Sequence, residues 1–187
     1  PEETASRMME LTVKAFRAYN NLGELAFAAG DAAKAESYFK QAASKNANAP
    51  EVNANLGLCE LVKGNVAAAE SYLGKATGAN AANEALGNLY IKQGQYDRAV
   101  NAFGDAKTNS AAQAQILAKD YNKAKATLSA IKNPDAMTDY LMAIVGARTN
   151  NASLVSSSIK SAIAKDASMA QRAANDREFA KFADSIK

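Results

Sequence analysis

The chain contains no histidine, no tryptophan, one cysteine (Cys59) and three prolines in 187 residues. Without histidine there is no His-based triad, and with one thiol there is neither an intramolecular disulfide nor a Cys/His zinc site. Neither a metal nor a cofactor is expected. Long Val/Ile/Thr runs that could serve as strands are scarce, which favours helices throughout. No apolar run approaches the about 18 residues that would cross a bilayer, so direct membrane insertion is not expected. Charge of one sign is missing as well. Lys and Arg number 22 against 19 Asp and Glu, with a net charge of +3 and no long run of either kind, so no nucleic-acid partner is implied. Phosphate-binding glycine loops, EF-hand loops and a GxSxG elbow are absent. The carboxylates are scattered rather than clustered, so no catalytic residues are expected. The opening PEETASRMME has neither an initiating Met nor an apolar leader, which reads as a processed or excised chain.

What is present is repetition. Leu22-Gly23, Leu56-Gly57 and Leu86-Gly87 recur at spacings of 34 and 30 residues. After each pair comes a second glycine (Gly30, Gly64, Gly94), then Ala (Ala35, Ala69, Ala99), a large apolar residue (Phe39, Leu73, Phe103) and Ala again (Ala42, Ala76, Ala106). Each unit reads as two helices joined by a tight turn. Gly30, Gly64 and Gly94 suit a left-handed helix end, and the Asp, Asn or Gln that follows suits the cap of the next helix. Gly23, Gly57 and Gly87 lie where the two helices approach, with Ala35, Ala69 and Ala99 receiving them from the other side. Phe39, Leu73 and Phe103 are expected to pack onto the neighbouring unit, because a lone hairpin cannot bury its apolar face.

The unit of about 34 residues, with Leu-Gly, a Tyr-like position, Ala and Phe in order, resembles the tetratricopeptide repeat (TPR). The third copy carries the resemblance best, in Leu86, Gly87, Tyr90, Gly94, Tyr96, Ala99, Phe103 and Ala106. The first two depart from the pattern, with Ala26 and Glu60 where an aromatic is usual and Ala32 and Val66 where Tyr96 stands. The resemblance implies an all-α, right-handed α-α superhelix: a TPR-like solenoid of about five helical hairpins with a C-terminal cap.

The expected organisation is one continuous domain. Residues 1–15 form an N-terminal helical extension and residues 16–107 three repeats. Residues 108–165 form two divergent hairpins, and residues 166–187 a capping helix. In the fourth unit the first helix, roughly Ser110 to Ala118, is shortened. Asn133-Pro134 is expected to start the following helix, as cap and first residue. Asn150-Asn151 makes the fifth turn, and the tail breaks at Asn175-Asp176. Cys59, between Leu58 and Glu60 and close to Leu61, reads as a small buried apolar residue. Met8 and Met9 are expected to pack in the core rather than to form an adaptable binding surface.

In TPR arrays the first helices line a concave face, and the resemblance carries this over. By register, that face would present Arg17, Asn20, Glu24 and Phe27 in repeat one and Ala54, Leu58 and Leu61 in repeat two. Repeat three would add Glu84, Asn88 and Ile91, and the fifth hairpin Tyr140, Ile144 and Arg148. An apolar middle with polar edges suits a protein segment. Asn20, Ala54 and Glu84 share one register position without repeating or carrying positive charge, which argues against base-by-base reading of RNA. One family variant grips chaperone C-terminal carboxylates with Lys, Asn and Arg. Here only Asn55 agrees, and Glu24 would repel a carboxylate.

The expectation is a noncatalytic protein-interaction scaffold holding a protein or peptide in its groove. The alternative is a ligand-free structural spacer within a larger polypeptide. The Ala- and Asn-rich style, the NPDAMTDYL step and the NDREFAKF ending resemble TPR segments of larger bacterial cell-envelope proteins. That resemblance implies a periplasmic or outer-membrane-associated location.

Overall fold

The computed structural model describes every residue except Thr77, Ala79 and Lys187. All regular structure among the described residues is helical, as the composition implies. The helices gather into two compact units, Pro1–Leu86 and Gly87–Lys187.

The first unit holds α1 (Glu2–Ala28), α2 (Ala32–Lys45), α3 (Pro50–Lys63), α4 (Val66–Lys75) and the opening of α5 (Asn80–Lys92). The second holds the rest of α5, then α6 (Tyr96–Phe103), α7 (Asn109–Leu117), α8 (Tyr121–Ser129), α9 (Ala136–Arg148) and α10 (Ala152–Lys165). It ends with α11 (Met169–Asn175), a 3-10 helix (Arg177–Phe182) and α12 (Ala183–Ile186).

One backbone device closes five hairpin turns. The N–H of Asp31, Asn65, Gln95, Asp120 and Asn151 donates to the carbonyl five residues back, on Ala26, Glu60, Tyr90, Gln115 and Gly146, at 2.7–2.9 Å. This bond satisfies a carbonyl that the helix end would otherwise orphan, and it requires a left-handed residue between the two helices. Gly30, Gly64 and Gly94 supply it with φ of 85°, 81° and 72°. In the last two turns Lys119 (φ 64°) and Asn150 (φ 55°) adopt it without glycine. Asp31, Asp120 and Asn151 also cap through their side chains, accepting from Lys34, Lys123 and Leu154 N–H at 3.0–3.2 Å. Asn65 and Gln95 do not. The Asn65 amide donates instead to Glu60 Oε2 at 2.9 Å.

Counting from these capping residues aligns all five hairpins. Eight positions earlier stand Gly23, Gly57, Gly87, Ala112 and Ala143, and eight positions later Phe39, Leu73, Phe103, Leu128 and Ile159. A methyl group at Gly57 would lie 2.7 Å from Leu73 Cγ, and one at Gly87 2.5 Å from Phe103 Cε2. At Gly23 it would collide with the Phe39 ring. The large residue therefore sits over the glycine of its own hairpin, closer than the alanines expected there. Ala35, Ala69 and Ala99 are wholly buried beside it. Where the glycine becomes Ala112 or Ala143, the facing residue is Leu128 or Ile159, each smaller than the Phe39 and Phe103 that cover Gly23 and Gly87.

In the first unit Phe39 is buried with Ala26, Ala35, Val52, Leu56 and Cys59, while Ala54, Leu73, Ala76 and Ala82 form a second cluster. In the second unit Ala112, Ile116, Ala124, Leu128, Leu141 and Val145 form one cluster. Tyr140, Val155, Ile159, Met169, Phe179 and Phe182 belong to another.

Three sequence expectations need correction. The helix after the fourth hairpin starts at Ala136 and not at Pro134. Asp135 caps it, accepting from Thr138 N–H at 2.8 Å, while Asp135 N–H donates to the Thr138 hydroxyl at 3.1 Å. This reciprocal box leaves Asn133-Pro134 in the connection. The tail breaks at Asn175-Asp176 as expected, but its capping segment is α11, a 3-10 helix and α12 rather than a single helix. Asp176 divides it by accepting from Glu178 N–H at 2.9 Å and from the Tyr140 hydroxyl, and Phe179 then packs edge-on to Tyr140 with ring centroids 5.5 Å apart. Finally, Met8 and Met9 lie outside the core, 64% and 71% exposed.

Candidate functional site

In the first unit, α1 and α3 bring together part of the expected groove. Asn20, Glu24 and Phe27 follow one another at helical spacing along α1, and Asn55 and Leu58 face them from α3. Glu24, Phe27, Ala28, Phe39, Asn55 and Leu58 enclose a hollow of about 120 Å³. Its floor is the buried Phe39 ring, which Gly23 admits by lacking a side chain. Phe27 and Leu58 are half-buried walls, each keeping apolar surface toward solvent.

A polar rim borders the hollow. Asn55 Nδ2 donates to Asn20 Oδ1 at 2.9 Å and to Glu24 Oε1 at 3.4 Å, and Asn20 Nδ2 donates to Glu24 Oε1 at 3.2 Å. Asn20 is buried, so its amide depends on these partners. The rim fixes the rotamers of Asn55 and Glu24 beside the apolar walls, and both bonds fall on Glu24 Oε1, so the second oxygen of this exposed carboxylate takes no part in the rim. Asn55, the one residue that agrees with the carboxylate-gripping variant, is therefore engaged with a carboxylate of its own chain.

The other candidates in this unit lie elsewhere. Ala54 is 5% exposed, in the cluster with Leu73 and Ala82, and Leu61 packs against that cluster. Arg17 borders a separate hollow with Thr12, Val13, Phe16, Lys45 and Glu51. Glu84 is exposed on α5.

In the second unit Asn88 and Ile91 are half-buried on α5. Tyr140 is 1% exposed and belongs to the core, contrary to its expected place on an accessible face. Ile144 packs between the two core clusters of this unit. Arg148 is held by both Glu178 oxygens and by the Tyr121 hydroxyl at 3.4 Å, which ties α9 to the tail. These three side chains thus serve the packing of their own unit.

No group of three or more Cys, Asp or Glu among the described residues could hold a metal ion. Cys59 is 1% exposed, and burial pushes its thiol up to about 11, so it is a neutral thiol at physiological pH. The main charge cluster is structural: Lys63 bridges Glu36 at 2.9 Å and Glu60 at 2.8 Å, and Lys40 pairs with Glu36 at 2.9 Å, joining α2 to α3. Hydrogen bonds from Lys63 and then Lys40 hold the Glu36 carboxyl below its usual range. No helix among the described residues is long and apolar enough to cross a membrane.

A family model for the tetratricopeptide repeat matches residues 26–90 and a second matches residues 81–111. A comparison with curated proteins gives no match. Among solved structures, a tetratricopeptide repeat protein from Parabacteroides merdae ATCC 43184 superposes with a TM-score of 0.71 at 17% identity, covering 92% of this chain and 77% of its own. YrrB, a TPR protein with an unusual peptide-binding site, gives 0.63 at 18% identity over 83% of this chain and 89% of its own. PilW, a widely conserved type IV pilus biogenesis factor, gives 0.63 at 20% identity over 96% and 89%. At such identities the likeness is one of fold. The glycine register, the turn bond shared by the five hairpins and the two family matches agree that residues 26–111 are built of tetratricopeptide repeats.

Proposed function

We propose that this chain is a noncatalytic protein-interaction scaffold, and that the hollow between α1 and α3 seats an apolar side chain of a bound protein segment. The observation that carries the reading is the pairing of the Phe27–Leu58 walls with the Asn20–Glu24–Asn55 rim. A cavity of about 120 Å³ is on the scale of one aliphatic side chain. Burying such a side chain contributes about 1.5–3 kcal/mol, enough to anchor a segment that further contacts along the first helices would orient. Glu24, with its second oxygen outside the rim, favours a backbone N–H or a basic side chain beside the anchor and disfavours a terminal carboxylate.

Arg17 and Glu84, in the same unit as the hollow, are proposed as further contacts, and Asn88 and Ile91 as contacts presented separately by the second unit. YrrB, which shares the fold and is described by its peptide-binding site, supports the reading. Placement in a bacterial cell envelope is part of the proposal. It draws on the style of the sequence and on the type IV pilus role of PilW, which shares the fold. Fractionation of the source cells tests it.

The binding site is tested by panning a displayed random-peptide library against the chain and against Leu58→Glu. Leu58 is a half-buried wall of the hollow, so a carboxylate there should block it and leave the far-ultraviolet circular dichroism unchanged. Enrichment of peptides with a shared aliphatic residue, bound by the native chain and at least about tenfold weaker by the folded variant, supports the site. Equal recovery by both would favour the ligand-free spacer.

A further inference from the structure

Counting from the capping residues also aligns the faces by which the hairpins stack. Six positions before the cap stand Leu25, Cys59, Leu89, Ala114 and Val145, and nine positions before it Leu22, Leu56, Leu86, Ala111 and Met142. In the four later hairpins the first of these is at most 6% exposed, and the second is buried or half-buried. The cover comes from the second helix of the preceding hairpin. Leu56 and Cys59 of α3 share a cluster with Ala35, Phe39 and Ala42 of α2. Leu86 of α5 packs against the cluster of Leu73 and Ala76 from α4, and Met142 and Val145 of α9 join that of Ala124 and Leu128 from α8. In the first hairpin the same face is bare: Leu25 is 68% exposed and Leu22 41%. Ala15, Ala18 and Ala29 continue it at steps of three and four, so the stripe carries no charge. Helical spacing sets it on the side of α1 opposite Asn20, Glu24 and Phe27, away from the hollow between α1 and α3.

A second open surface lies on the last elements of the chain. Between the end of α10, α11, the 3-10 helix and α12 is a hollow of about 300 Å³, whose lining includes Ala170, Ala174, Ala180, Ala183 and Ile186. All four of these alanines are exposed, so the walls are too short to fill the space between them. The one charged lining residue, Asp176, is engaged within its own unit, its oxygens accepting from the Tyr140 hydroxyl and from Glu178 N–H. The interior joints use the same device. There the alanines of one second helix, such as Ala35 and Ala42, make room for the larger apolar side chains of the helix that follows.

We propose that the tail of a second copy of this chain covers the bare face of α1, with Leu22 and Leu25 entering the hollow beside α11. The choice of a second copy rests on the match within one sequence. One surface is an apolar, uncharged stripe whose later equivalents are all buried against a preceding element, and the other is an alanine-walled hollow of a size to receive it. The hollow between α1 and α3, at about 120 Å³, is on the scale of one aliphatic side chain, so about 300 Å³ has room for two. Because the two surfaces differ, the contact is heterologous. A copy joined through α1 still offers its own tail, and association continues past the pair or closes into a ring. The contact is apolar on both sides, so its strength depends little on salt. It falls near the small end of specific interfaces, with dissociation in the micromolar range or above.

The test is complementation between two variants at exposed positions. Leu25→Glu blocks the face of α1 and Ala174→Glu blocks the hollow, and neither should change the far-ultraviolet circular dichroism. In sedimentation velocity from micromolar to submillimolar concentration, the native chain should pass from monomer to larger species. Each variant alone should associate at least about tenfold more weakly. An equimolar mixture of the two retains one intact α1 face and one intact hollow, on different copies, and should form a one-to-one dimer and nothing larger. A native chain that remains monomeric throughout would overturn the proposal. So would association that either folded variant leaves unchanged, or a mixture that associates no better than its components.

Discussion

A methyl group added at Gly87 would lie 2.5 Å from Phe103 Cε2, 2.6 Å from Cζ and 2.7 Å from Cδ2. Phe103 is only 6% exposed, so its ring has little room to retreat. Overpacking of this kind costs about 1–3 kcal/mol. Replacing a mid-helix glycine by alanine returns about 1 kcal/mol of helix propensity. The net effect of Gly87→Ala is then a loss of about 1 kcal/mol. Phe103→Leu alone should cost about 1–2 kcal/mol through lost burial and residual cavity. In that background the facing side chain is smaller and more flexible, as Leu128 is opposite Ala112, so the steric term shrinks below the propensity gain even though a leucine can still approach as closely as Leu73 does to Gly57. Gly87→Ala should therefore change sign and become stabilising by up to about 1 kcal/mol, a coupling of about 2 kcal/mol across the pair. Urea titrations of the four proteins, followed by far-ultraviolet circular dichroism, read this as opposite shifts of the transition midpoint in the two backgrounds. Because the chain forms two compact units, the transition to compare is the one that Phe103→Leu itself moves. An effect of Gly87→Ala that is equal in the two backgrounds would show that residues 87 and 103 are not in contact, and would remove the register that aligns all five hairpins.

Two further outcomes test the caps and the core. Asp135→Ala should destabilise the second unit by about 1 kcal/mol at neutral pH. Hydrogen bonds from Thr138 N–H, the Thr138 hydroxyl and Asn109 hold the Asp135 carboxyl below its usual range, so this contribution is full above about pH 4 and is lost as the pH falls through the depressed value. Urea midpoints of native and variant protein should converge in acid, and a gap independent of pH would refute the assignment. Cys59, buried and with its thiol raised to about 11, should resist thiol reagents at mildly alkaline pH and react at the rate of unfolding. Labelling of the folded chain as fast as a free thiol would place Cys59 outside the core.

The turns and the tight helix pairs were legible because each is dictated by one residue's backbone or volume. Gly30, Gly64 and Gly94 announce left-handed helix ends, and Gly23, Gly57 and Gly87 announce close approach. The fourth and fifth hairpins hid the same geometry in other residues. Lys119 and Asn150 adopt the left-handed conformation without being glycine, at a cost that the turn bond and the caps Asp120 and Asn151 offset. Ala112 and Ala143 replace the marker glycine while Leu128 and Ile159 replace the phenylalanine, an exchange that no search for Leu-Gly can find. Counting back from the capping residue recovers it. At Asp135 the signal was present and misread: Asp-x-x-Thr forms the reciprocal cap, and Asn133-Pro134 one step earlier offered a competing start.

The site was harder to read because register says which way a helix position points but not what the side chain meets there. Asn20, Glu24, Phe27 and Leu58 share a face by spacing alone, and α1 and α3 bring them together. Asn55, two residues before Gly57, joins them through a 2.9 Å bond to Asn20 across 35 residues of sequence. Tyr140 holds the same register position as Asn20 and Ala54, yet its fate is decided by the tail, where Asp176 accepts its hydroxyl and Phe179 closes on its ring. Arg148 is taken by Glu178 in the same way. Both partners lie 30 or more residues downstream, in the segment whose irregular 3-10 path carries the weakest periodic signal. In a repeat protein a position faces a ligand only where no later element reaches it first. Recognition is therefore to be sought toward α1 and α3, where Phe27 and Leu58 keep exposed apolar surface, and not beside the tail, where the equivalent side chains already have partners.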